Sequence, residues 1–206
     1  MRRFKVFTDF EKEEKYLNDM AREGKILQKY SCLGFYHFKE SSPQDLKYRI
    51  DYRVFKRNED FEDYKALFED AGWQHVYGTR WSCNQYYLPT QKSADDRIFS
   101  SEESAAARYK LFYEMCSANV SIAVCYFVVV LITADFNLGN ITFLTPGLWE
   151  MTGTHFWRAF LVELPFVFFR TIPPFLLLIY GFIYAVWAGK SRKLYKQRVQ
   201  ENKDKV

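Results

Sequence analysis

VFFRTIPPFLLLIYGFIYAVW, residues 167–187, carries a single charge, Arg170, close to its start. A second run, MCSANVSIAVCYFVVVLITA at 115–134, carries none. At roughly 1.5 Å per helical residue, each run spans a hydrocarbon core of about 30 Å. These two stretches decide which solvent the rest of the chain meets. They divide it into a soluble portion, a two-helix membrane hairpin and a basic tail.

Working outward, residues 135–166 hold Gly139, Pro146, Gly147 and Gly153 among Trp149, Phe156, Trp157 and Phe160. That composition fits an extracytoplasmic loop skimming the interface, the depth at which tryptophan collects. One helix from Phe160 to Ala188 would be about 43 Å long, so Pro165 and the Pro173–Pro174 pair are expected to mark a kink and a start near Val167. Arg170 then snorkels outward from that boundary. The tail from Lys190 holds seven Lys/Arg against two acids, and Lys190, Arg192, Lys193, Lys196 and Arg198 are expected to face anionic lipid. No apolar segment follows MRRFKVF, so no signal peptide is expected. With the tail held inside by the positive-inside rule, both termini are expected in the cytoplasm.

Residues 1–110 carry 20 Lys/Arg against 19 Asp/Glu, so the excess charge belongs to the tail and not to the soluble portion. Within it, Phe4–Phe7 reads as a short strand, and Thr8 with Glu11 as a capping box. Phe10, Leu17, Met20 and Ala21 recur at helical spacing before Gly24. Ile26–Tyr30 and Gly34–Lys39 read as strands. In Leu46–Phe55, Tyr48, Ile50, Tyr52 and Val54 alternate with Lys47, Arg49, Asp51 and Arg53, predicting one buried and one wet face. Asp60 starts a second helix over Phe61, Tyr64, Leu67, Phe68 and Ala71 that stops at Gly72, and Trp73–Trp81 with Asn84–Leu88 forms a last hairpin.

The expected fold is therefore α+β: a ferredoxin-like βαββαβ plait with an extra strand, one sheet covered on one face by two helices, then the membrane hairpin. Its parts are a cytoplasmic domain at 1–90, a linker and juxtamembrane helix at 91–114, spans at 115–134 and 167–188 around the loop 135–166, and the tail 189–206. Ser100–Glu103 opens a helix that runs unbroken into the first span, which makes a mechanical link possible.

Little of this points to chemistry. Cys32, Cys83, Cys116 and Cys125 show no metal-ligand spacing, and His37, His75 and His155 are scattered. There is no phosphate-cradling glycine loop, no GxSxG and no HExxH. No cofactor is expected. The acidic groups Asp9–Glu14 and Glu59–Asp63 lie at helix N-termini, where the macrodipole favours them. Aromatic strand residues such as Phe35, Tyr36 and Phe38 would suit base stacking, yet a net charge of about +1 over residues 1–110 lacks the phosphate attraction of a nucleic-acid binder. Core packing is the better reading of most of them. Tyr36, Phe38, Arg49, Asp51, Trp73 and Trp81 are the candidates for a ligand or partner surface.

Glu14–Gly24 (EKYLNDMAREG), Tyr36–Phe38, Tyr48–Tyr52 (YRIDY), Tyr64–Trp73 (YKALFEDAGW) and Ile98–Arg108 occur in a recognisable order. Over about residues 1–110 the chain resembles a membrane family of Gram-positive bacteria, domain-of-unknown-function family 2812. Members are often encoded beside PadR-like transcriptional regulators. Lys25 stands where an aromatic commonly follows the first helix-ending glycine. The family supplies no catalytic residue; it implies a bacterial plasma membrane location and, by association, regulation.

The expectation is a non-enzymatic regulatory or sensory membrane protein whose cytoplasmic domain binds a protein or small ligand, with the bilayer and a protein partner or second copy as its contacts. The alternative is an accessory subunit of a membrane transporter or complex, docking through Gly181, Ala185, Ala188 and Gly189. A cryptic enzyme using Asp51 and Arg49 is the third possibility.

Overall fold

The computed structural model describes residues 1–31, 34–90, 102–133 and 143–204. The expected linker Gln91–Asp96, the expected side-chain cap at Ser100–Glu103, Cys32, and residues 134–142 of the expected first span and loop lie outside what is described. The chain divides into two units, Met1–Tyr113 with Gly189–Val206, and Glu114–Ala188.

Among the described residues, the first unit contains six strands and two short helices: β1 (Arg2–Phe4), α1 (Phe10–Arg22), β2 (Lys25–Ser31), β3 (Phe35–Glu40), β4 (Arg49–Tyr52), α2 (Asn58–Asp70), β5 (Trp73–Tyr77) and β6 (Asn84–Pro89). Two long helices follow, α3 (Glu102–Thr133) and α4 (Gly153–Asp204). The strands do not make the single sheet expected. They form two antiparallel sheets of three, in the orders β1-β3-β2 and β4-β6-β5. Each sheet is one β-α-β-β repeat, with a helix crossing between two outer strands and the last strand paired between them. Both hairpins carry a bulge, between Leu27 and Lys29 in the first and between His75 and Tyr77 in the second. The sheets meet where β2 approaches β5.

Both short helices close on glycine as expected. Gly24 and Gly72 take φ of 76° and 83°, the left-handed conformation that ends a helix cheaply only without a Cβ. The starts differ from expectation. Asp9, not Thr8, caps α1, its carboxylate accepting from the Glu11 N–H at 3.1 Å. Helix α2 begins at Asn58 after Arg57, whose guanidinium reaches Asp60 in the first turn at 2.6 Å.

The face of α1 that carries Phe10, Leu17, Met20 and Ala21 is buried, as the spacing predicts. Helix α2 covers one face of the second sheet through Phe61, Tyr64 and Phe68 against Phe55, Trp73 and Tyr87. The opposite face of that sheet presents Ile50, Tyr52 and Tyr86, also buried. Strand β4 is therefore covered on both sides. This overturns the expected wet face: Asp51 is only 6% exposed, whereas Val54, beyond the end of β4, is 62% exposed.

The outer edge of β4 is closed by side chains instead of a strand. Asn18 accepts the Tyr48 N–H at 2.7 Å, and Glu14 accepts the Ile50 N–H at 3.1 Å. Arg108 of α3 donates to the Ile50 carbonyl at 2.7 Å. An open strand edge carries unpaired backbone groups that template further pairing; here helices α1 and α3 answer them. Ala106, Tyr109 and Phe112 bury beside this edge, with Tyr109 and Phe112 ringed around Phe10. The end of α4 joins the same unit: Ser191 donates to the Tyr109 carbonyl at 2.7 Å, and Arg198 donates to Glu11.

The second unit is the apolar stretch of α3 and α4. Both are long and apolar enough to cross a membrane. Helix α4 begins at Gly153, so the expected break near Val167 is absent, and residues 154–166 are helix where a loop was expected. Pro165, Pro173 and Pro174 each remove one backbone bond, and the remaining ladder carries the helix through. The aromatics of this stretch cluster along its first turns. Phe156 and Phe160, one turn apart, pack with Phe143 and Trp149. Glu163 accepts the Leu144 and Thr145 backbone N–H groups, and Arg170 lies 3.9 Å from the same carboxylate. Gly181 meets Ala123, where an added Cβ would come within 2.9 Å, so the small residue expected to dock a partner packs inside the hairpin.

Candidate functional site

A cavity of about 410 Å³ opens in the first unit between α2, β4 and the first turns of α3. Helix α2 supplies Leu67, Phe68 and the ring of Tyr64; α3 supplies Ala107, Leu111 and Arg108. Strand β4 supplies the polar floor, Asp51, flanked by Tyr52 and Arg53. The volume lies in the range of small-ligand pockets, about 300–1,000 Å³, as does the lining of apolar walls with few polar groups.

Asp51 is placed by the strand's alternation, which turns it toward α2. One carboxylate oxygen accepts the Tyr64 hydroxyl; the other accepts the Tyr52 N–H at 2.8 Å. Burial, and then the Asp51 charge, hold the Tyr64 phenol well above its ordinary pKa, so it remains a donor. Among the described residues no Lys, Arg or His comes within ion-pair distance of Asp51. Arg53, at the mouth, holds its guanidinium 5.1 Å from the Tyr64 ring centre. Arg108, buried on the α3 side, directs Nη1 to Glu14 at 2.8 Å and to the Ile50 carbonyl. Glu14 also draws Arg49 to 3.6 Å.

A second buried carboxylate lies apart from the cavity. Glu13 accepts the hydroxyls of Tyr36 at 2.6 Å and Tyr86 at 2.7 Å, one from the central strand of each sheet. Burial pushes its pKa up to about 7, against the lowering effect of the two hydroxyls and of Arg108. Tyr36 and Tyr86 are raised in turn by burial and by the Glu13 charge. This arrangement ties α1 to both sheets.

The six expected surface residues do not converge. Tyr36 and Phe38 lie in the core beside Tyr16, and Trp73 lies in the core under α2. Arg49 is half-buried beside Glu14. Trp81 is 81% exposed, with the Arg80 guanidinium 4.1 Å from its ring. Only Asp51 faces the cavity. The remaining walls were missed as a site, although Leu67 and Phe68 were legible as an apolar helix face. Arg108 had one signal: a charge set between Ala105–Ala107 and Tyr109.

In the tail, Lys190, Arg192, Lys193 and Lys196 are exposed along α4, while Arg198 turns inward to Glu11 and leaves the expected lipid-facing set. Among the described residues no three His, Cys, Asp or Glu side chains are placed to hold a metal ion. His75 meets Gln85 at 3.0 Å, and its pKa is lowered by burial.

No curated protein and no solved structure matches the chain. Residues 9–121 match the family described as "Protein of unknown function (DUF2812)". The matched segment runs from the cap of α1 into α3 and takes in every wall of the cavity. With more than half its length matched, the chain belongs to the DUF2812 family of proteins of unknown function.

Proposed function

We propose that the protein is a membrane-anchored regulatory or sensory protein, without chemistry of its own, whose cytoplasmic unit binds a small ligand in the cavity between α2 and α3. The observation that carries the reading is that one wall of the cavity, Ala107, Arg108 and Leu111, belongs to α3, the helix that continues into an apolar stretch long enough to cross a membrane. A ligand that orders this wall alters the helix that leads into the bilayer. A ligand that binds one state better than another shifts their populations. The exposed Lys190, Arg192, Lys193 and Lys196 favour a cytoplasmic placement of the tail beside anionic lipid in a bacterial plasma membrane. The second β-α-β-β repeat is read as an incomplete ferredoxin-like plait, with the fourth strand replaced by side chains at the edge of β4.

The test is a thermal-shift screen of the full chain in detergent against a small-molecule library. It is run on the wild type and on Ala107→Phe, which fills the cavity from an exposed position. At least one compound should raise the melting temperature of the wild type and leave the variant unchanged. If every stabilising compound acts equally on both, the cavity is not the site. Labelling of a cysteine engineered at Ser42 by an impermeant reagent in intact cells would overturn the cytoplasmic placement.

A further inference from the structure

We infer that the cavity takes an organic cation: an amine attached to an apolar body of one or two rings, its charge received by Asp51. This rests on the cavity being a ligand site, as proposed above, and names what that site selects. Three observations converge. Asp51 is 6% exposed, lines the cavity, and has no cationic partner within ion-pair distance among the described residues. A buried carboxylate is ordinarily paired, because leaving water costs the charge far more than two hydrogen bonds restore. Its two partners, the Tyr64 hydroxyl and the Tyr52 N–H, occupy one lone pair on each oxygen and leave acceptor capacity for an ammonium.

Second, Tyr64 and Phe68 line the same space, and aromatic faces attract cations. The site already shows this preference: the Arg53 guanidinium rests toward Tyr64 from the mouth. A ligand ammonium would displace Arg53 and gain Asp51 as well. The other cation in the wall, Arg108, is directed away, to Glu14 and the Ile50 carbonyl. Third, Leu67, Leu111 and Ala107 give the opening an apolar rim. A cavity of about 150 Å³ holds one benzene ring, so one of about 410 Å³ has room for two rings or one ring with a chain.

The experiment titrates the full chain in detergent with phenethylamine, with 3-phenylpropionate as the anion of similar size, and with neutral 3-phenylpropionamide, read by ligand-observed saturation-transfer NMR. Phenethylamine should bind and the anion should not. Asp51→Asn, which keeps an acceptor for Tyr64, should weaken the amine at least fivefold, and Arg53→Gln should tighten it by roughly twofold or more by removing the competing cation. A smaller loss with Asp51→Asn, or anion binding as tight as the amine's, overturns the inference. Should Asp51→Asn not fold, Ala107→Phe decides: it should abolish amine binding, and retained binding overturns the site. If the anion binds and Ala107→Phe blocks it, the cavity stands and the cation selectivity falls. If none of the three probes binds, the inference falls, and the small-ligand reading is decided by the library screen alone.

Discussion

The two β-α-β-β repeats share an order of elements and a pairing pattern, yet their helices are treated differently. Helix α1 is sealed. Its buried side holds Leu17 at 0% exposure together with the carboxylates of Glu13 and Glu14, and its N-terminal turn receives Arg108, Tyr109 and Arg198. Helix α2 packs its core face on Phe55, Trp73 and Tyr87 but leaves Leu67 64% exposed on the rim of the cavity. The difference lies in α3, which docks against α1 through a charge-assisted clamp and stands off from α2. One copy of a repeated scaffold is spent on holding the unit together; the other keeps a surface unfilled, and the ligand hypothesis lives there.

The sharpest way to break that comparison is the clamp. Arg108→Ala strands Glu14 and the Ile50 carbonyl in a buried setting, and removing one partner of a buried ion pair costs about 3–5 kcal/mol. Chemical unfolding of the full chain in detergent should show that loss. A variant with Glu14 and Arg108 both replaced by methionine should recover a large part of it. A loss below about 1 kcal/mol for Arg108→Ala would mean α3 is held by something else.

Next in size is the contrast between two leucines. Leu17→Ala should cost about 2–5 kcal/mol, the range for a buried leucine, and Leu67→Ala under about 1 kcal/mol. Equal costs would mean that α2 is as closed as α1 and the cavity is filled in solution.

Glu13 gives the contrast a pH dependence. Its pKa is about 7 in the folded protein against an ordinary 4.5, so the folded state binds the extra proton between those values. Its contribution is fully present below pH 4.5 and lost as pH rises through about 7. A tenfold change in proton affinity is worth about 1.4 kcal/mol, so the loss is at most about 3–4 kcal/mol. Glu13→Gln, neutral throughout, should flatten that part of the stability profile between pH 4.5 and 8, measured as the wild-type minus variant difference. An unchanged difference across the window would remove the buried acid from the account.

The smallest effect compares the two helix-ending glycines. Alanine at either costs about 1 kcal/mol for the left-handed backbone. At Gly24 the new Cβ would also meet the Ser41 carbonyl oxygen at 2.6 Å, whereas at Gly72 nothing lies within 4 Å. Gly24→Ala should therefore be the more damaging, by melting temperature. The reverse order would indicate that the turn after α1 yields and the turn after α2 does not.

Much of this was legible in the chain. Helical spacing found Phe10, Leu17, Met20 and Ala21 and both terminal glycines, and hydropathy found the two long helices. What periodicity cannot express is how many faces of a strand are covered. Alternation around Asp51 separated two faces correctly, but α2 lies over the one read as wet, and only a non-local contact says so. The division into two sheets was hidden for the same reason, since pairing order joins residues such as Ile50 and Tyr86. Prolines at 165, 173 and 174 read as breaks because the local rule is written for isolated helices, and α4 carries them in a far longer ladder. The cavity itself left no local trace; it is made by α3 docking on α1 and on the edge of β4 while standing off from α2.

Ser191 and Arg198 fold onto residues made long before them. The first unit is stitched from two stretches separated by the 75 residues from Glu114 to Ala188. During synthesis, the ribosome therefore releases a nearly finished body whose last strap is still untranslated, leaving the Tyr109 carbonyl and Glu11 to water until the final helix arrives. Closure of the first unit is thereby timed by completion of the stretch from Glu114 to Ala188. A chain that stalls within it would carry an unlatched domain, open to proteases at the N-terminal turn of α1.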